Sequence, residues 1–113
     1  MKNLPEIGKT YNCFDDGKIR KSRMYQVTIT EIIPFEKADN EILELWKETI
    51  SSCYWLFYKT DYFIKFTSNE NEEYINGIFA RTKDNGWFGI SDNWWNSGRL
   101  DIDGSLTAIL DKQ

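Results

Sequence analysis

At 113 residues the chain has the size of one domain, and its composition of 41% hydrophobic, 28% charged and 16% aromatic residues describes a globular chain rather than a disordered one. Eighteen Asp and Glu against fourteen Lys and Arg leave a net charge of −4, which repels a phosphate backbone and argues against nucleic acid as a partner. Histidine is absent, which removes the commonest general base and metal ligand together with Ser-His-Asp, Cys-His and metalloprotease arrangements.

Residues 1–10 (MKNLPEIGKT) contain no apolar run long enough for a signal peptide, and no stretch approaches a membrane span. The expected location is the cytoplasm, with no membrane partner; a signal peptide already removed would leave the same pattern. Cys13 and Cys53 lack the paired spacing of a zinc site and are expected as small buried apolar groups, with a Cys13–Cys53 disulfide as the alternative in an exported protein. The sequence asks for no metal and no cofactor.

In chain order, Tyr11 to Phe14 reads as a strand closed by an Asp16-Gly17 turn, which tolerates the positive φ angles of a tight hairpin. That turn would set Asp15 against Lys18 and Phe14 against Ile19. The basic run Lys18, Arg20, Lys21 and Arg23 reads as a solvated turn and strand start, with anion binding as the alternative. From Arg23 to Pro34, Tyr25, Val27, Ile29 and Ile33 fall on one face and Met24, Gln26, Thr28 and Thr30 on the other, a long half-buried strand. Glu31 and Ile32 break the alternation, which predicts a bulge or an end of pairing there.

Asp39 or Asn40 can cap a helix whose apolar positions Ile42, Leu45, Trp46, Thr49 and Cys53 recur at helical spacing, with Leu43 and Ile50 widening the stripe. Glu41, Glu44, Lys47 and Glu48 take the outer side. Tyr54 to Tyr58 and Tyr62 to Thr67 read as a second, aromatic-rich hairpin, and 68–73 (SNENEE) as a polar loop. Tyr74 to Thr82 and Trp87 to Ser91 flank Asn85-Gly86, which predicts a two-residue hairpin pairing Arg81 with Ile90 and Lys83 with Phe88. Arg99 to Ile102 adds a strand, followed either by a return hairpin at Asp103-Gly104 or by a short helix starting at Ser105.

These elements predict one α+β domain: an antiparallel sheet or partly open barrel of about six or seven strands with one long helix, Asp39 to Cys53, packed on it.

The stretch 86–104 (GWFGISDNWWNSGRLDIDG) concentrates the candidate chemistry, setting Trp87, Trp94 and Trp95 beside Asp92, Arg99, Asp101 and Asp103. Indole rings bury large areas yet keep an N–H that needs a partner, so such a cluster marks a core corner or a recognition surface. Adjacent residues of a strand point to opposite faces, so at most one of Trp94 and Trp95 belongs in a core.

Leu100 to Thr107 (LDIDGSLT) resembles the D-x-D-G-T motif of haloacid dehalogenase-type phosphatases at Asp101, Asp103 and Gly104, with Ser105 in place of threonine. The resemblance covers eight residues. In that family the motif lies near the N-terminus of a Rossmann-like domain, whereas only residues 108–113 follow it here. An EF-hand loop counted from Asp101 would need a glutamate where Lys112 stands and a glycine where Leu106 stands.

The sequence therefore points to a non-enzymatic protein-binding domain, of inhibitor or immunity type. Trp94, Trp95, Asp92, Arg99 and Asp101 would form an acidic, aromatic surface for a partner with a basic face. The alternatives are a small-molecule or carbohydrate-binding module, and an enzyme that works through carboxylates or tyrosine without histidine.

Overall fold

Six strands pair in chain order, each antiparallel to the next: β1 (Thr10–Phe14), β2 (Met24–Pro34), β3 (Tyr62–Ser68), β4 (Ile75–Arg81), β5 (Trp87–Gly89) and β6 (Arg99–Asp101). β6 then pairs with β1, which closes the sheet into an up-and-down barrel. These coordinates are a computed structural model that describes residues 4–14, 19–53, 60–68, 75–82, 86–90 and 98–112. Helix α1 (Asn40–Cys53) lies between β2 and β3, and helix α2 (Ser105–Asp111) follows β6. The sheet is thus antiparallel and closed rather than partly open, and two helices accompany it: the long one expected, and the short one that stood as an alternative to a return hairpin after Asp103-Gly104.

Alternation along the strands fills the interior. Tyr11 and Cys13 of β1, Val27 and Ile29 of β2, Ile64 and Phe66 of β3, Phe79 of β4, Trp87 of β5 and Leu100 of β6 form one buried cluster. Phe66 and Phe79 stack at 4.2 Å between ring centroids. Six strands enclose a space that side chains can fill completely, since even eight leave little more.

The bulge expected near Glu31 is present: Ile29 pairs with Phe66 and Glu31 with Lys65, so Thr30 is the extra residue. Its consequence is a change of face. Tyr25 and Ile32 both pack against the interior, while Ile33, expected beside Tyr25, Val27 and Ile29, turns outward to join Ile42 and Phe63. The outward turn gives α1 its seat. Asp39 caps the helix, its Oδ1 accepting from the Ile42 amide at 2.9 Å. Ile42 is buried, and Leu43, Leu45, Trp46 and Ile50 pack beside it on Phe63, Ala80 and Ile90 of the outer barrel wall. Phe35 meets the Trp46 ring edge-on at 5.0 Å and stacks on Phe63 at 5.5 Å, and the indole Nε1 donates to Thr60 Oγ1 at 3.2 Å.

Two expected turns are corrected. Phe14 pairs with Met24, not Ile19, so β1 and β2 are joined by residues 15–23, of which Lys21–Arg23 form a 3-10 turn. This register sets Cys13 beside Tyr25 and Tyr11 beside Val27 on the inner face, whereas a tight turn at Asp16-Gly17 shifts pairing by an odd number and turns one set outward. The same physics corrects the hairpin expected at Asn85-Gly86. Arg81 pairs with Trp87 rather than Ile90, and the Thr82 amide donates to the Gly86 carbonyl while the Gly86 amide donates to Thr82 Oγ1, so the expected two-residue register at Asn85-Gly86 is not the one adopted. The two edges of β3 are taken by β2 and β4 along its length. The strand expected over Tyr54 to Tyr58 lies outside the described residues.

At β6 the chain passes close to the interior. A Cβ on Gly98 would stand 2.7 Å from Cys13 Sγ and against the Tyr25 hydroxyl, so only glycine fits there. Cys13 is fully buried in the interior; the Cys53 side chain, and with it the disulfide alternative, lies outside the described residues. No helix among the described residues is long and apolar enough to cross a membrane.

Candidate functional site

Of the five residues expected at a binding surface, Asp92, Trp94 and Trp95 lie outside the described residues; Arg99 and Asp101 lie within β6. The ends of the connection that carries the first three are held together, since the Gly89 amide donates to the Gly98 carbonyl at 2.9 Å. Arg99 pairs with Phe14 on one side and Phe88 on the other. Leu100 faces inward, so Arg99 and Asp101 share the outer face of the strand.

Asp101 is 5% exposed, and its carboxylate serves α2. Oδ1 accepts from the Leu106 amide at 3.1 Å, and Oδ2 accepts from the Thr107 amide at 2.9 Å and from the Thr107 hydroxyl. These are amides of the first turn, which have no partner inside a helix, so a strand carboxylate does the work of a cap. The network continues across the outer wall: Asn12 Nδ2 donates to Thr107 Oγ1 at 3.2 Å, and Gln26 Nε2 donates to Asn12 Oδ1 at 3.4 Å. Asp103 accepts from the Ser105 amide at 3.0 Å. Hydrogen bonds from the Ser105 side chain and amide hold the Asp103 carboxyl below its usual value. Gly104, with φ of 83°, makes the left-handed turn into the helix. The short-helix alternative at Ser105 is the one realised, and the Asp-x-Asp-Gly-Ser spacing that resembles a phosphatase motif here builds a helix start.

Sequence reasoning missed Arg81. It is buried at 2% exposure, its guanidinium lies 4.7 Å from the centre of the Trp87 ring, and its Nε donates to Asp61 Oδ1 at 3.1 Å. The signal was available in the parity of β4, where Phe79 and Arg81 share a face. The expected register with Ile90 assigned that face to the wrong neighbours.

Among the described residues two grooves flank α2. One, about 480 Å³, runs from Lys9 and Thr10 to Asp103 and Asp111; the other, about 500 Å³, lies between α2 and the start of β2, bordered by Arg20 and Lys21. Among the described residues no group of three or more His, Cys, Asp or Glu side chains is arranged to hold a metal ion. No protein-family model, curated protein or solved structure matches the chain.

Proposed function

We propose that this chain is a non-enzymatic protein-binding domain, of inhibitor or immunity type, that meets a basic partner surface with acidic and aromatic side chains. The contact is assigned to Asp92, Trp94 and Trp95 of the β5–β6 connection, with Arg99 at its base and Asp101 holding α2 alongside. The observation that carries this reading is the filled barrel: Phe66, Phe79, Trp87 and Arg81 occupy the interior, so recognition falls to the outside of the wall and its connections. Tryptophan anchors beside carboxylates are what a ring-anchored, charge-steered interface uses.

The test begins with affinity capture of a partner from the native host and continues with its association measured against Trp94→Ala and Trp95→Ala. Each substitution is expected to weaken binding by about 2 kcal/mol or more with little change in melting temperature. The association rate should fall as salt is raised. A large drop in melting temperature for both variants would identify both rings as core and end the proposal.

A further inference from the structure

The groove between α2 and the start of β2 has a charge opposite to that of the chain as a whole. Arg20 and Lys21 are exposed at its rim, where the chain turns into β2, and Asp111 is the one acidic side chain among the described residues that line it. Its other lining groups are Met24, Leu110, Asn12 and Thr107. Asn12 and Thr107 are bonded to each other and to Gln26 and Asp101, so the polar part of the floor is largely engaged within the protein. Among the described residues no ion pair joins Arg20 or Lys21 to a carboxylate.

We propose that this groove binds an acidic peptide segment of a partner protein, with a carboxylate against Arg20 and Lys21 and a neighbouring aliphatic side chain between Met24 and Leu110. Two cations facing one carboxylate favour an anion. The two half-buried apolar side chains favour an aliphatic group next to that anion over a purely polar one such as a sugar phosphate. Small-molecule sites enclose most of the ligand and aim several polar groups at it. This groove is open to solvent and its Asn and Thr are engaged elsewhere, which suits a chain segment lying along it. The site is separate from the acidic, aromatic contact proposed above and does not depend on it, since none of its residues lies on the β5–β6 connection.

The test is a titration of the full-length, 15N-labelled chain with the peptide acetyl-Glu-Leu-Leu-Glu-amide, followed by amide chemical shifts. Shifts are expected at residues 20–24 and 107–111. The double reversal Arg20→Glu/Lys21→Glu should weaken binding at least about tenfold, which is the loss of one good charge-assisted contact. Both side chains are exposed, so the melting temperature should hold, and Lys47→Glu on the outer face of α1 should leave binding unchanged. Leu110→Ala should weaken binding independently of the charge change.

Any one of the following would overturn the proposal: equal binding by acetyl-Lys-Leu-Leu-Lys-amide, no effect of the double reversal, shifts confined to other elements, or no shifts at millimolar peptide. Hexanoate saturating the same amides as tightly as the peptide would assign the groove to small organic anions instead, and would equally overturn it.

Discussion

Asp101 shows how one carboxylate can look like a site and act as a fastener. Two apart from Asp103 and from Arg99, it reads in sequence as a member of an acidic cluster or a partner for arginine. In the fold it sits 5% exposed under α2 and accepts from two amides and one hydroxyl of that helix. Nothing in residue spacing separates a capping carboxylate from a binding one, because both want N–H donors; what decides is whether a helix starts within reach. Asp101→Ala is expected to cost about 1–3 kcal/mol, the range for stranding buried donors. The amides of Leu106 and Thr107 should lose exchange protection together, since both bond to the same side chain. Urea unfolding and amide exchange on the variant check this, and a cost near zero would mean that α2 holds its place without the cap.

Helix α1 was legible at the level of the element because several independent signals agree: an Asp39 cap, an apolar stripe and an acidic outer face. The strands were legible too, by alternation. The turns were not, and for one physical reason. Asp16-Gly17 and Asn85-Gly86 are strong local turn formers, but the turns they favour would shift β1–β2 and β4–β5 by an odd number of residues. That shift would move Cys13, Tyr11 or Trp87 out of the interior, and burying an indole or a phenol ring outweighs a turn preference. The break at Glu31 pointed to a bulge or an end of pairing, and the bulge at Thr30 is the one realised; its effect of sending Ile33 outward to seat α1 was not legible. Trp46, expected on the core stripe, is half-buried between Phe35 and Thr60. Trp46→Ala should therefore cost about 3 kcal/mol, the low end for a large ring replaced by alanine. Thermal unfolding of the variant checks it, and a loss below about 1 kcal/mol would show that the ring covers α1 without holding it to the barrel.

At the scale of the whole molecule, closure removes the exposed edges of an open sheet, but the seam that achieves it is uneven. β2 and β3 pair through six residues of each strand, and β3 and β4 through six as well. Among the described residues β5 and β6 share a single pair, Phe88 with Arg99, reinforced by the Gly89–Gly98 backbone bond. α1 covers the wall formed by β3, β4 and β5, whereas α2 has no fully buried residue and rests on β6 through the Asp101 cap. Local opening follows the element with the fewest bonds and the least buried apolar area, so the barrel is expected to open first between β5 and β6. In native-state hydrogen exchange, amides of β6 and α2 should exchange at a low opening free energy, while Ile29, Ile64, Phe66 and Phe79 should exchange only with global unfolding. Asp101→Ala should lower protection in β6 and α2 without touching β3. Uniform protection around the barrel would show that closure is as strong at the β5–β6 seam as elsewhere. The proposed contact at the β5–β6 connection would then be borne on a rigid rim, not on the part of the wall most able to adjust to a partner.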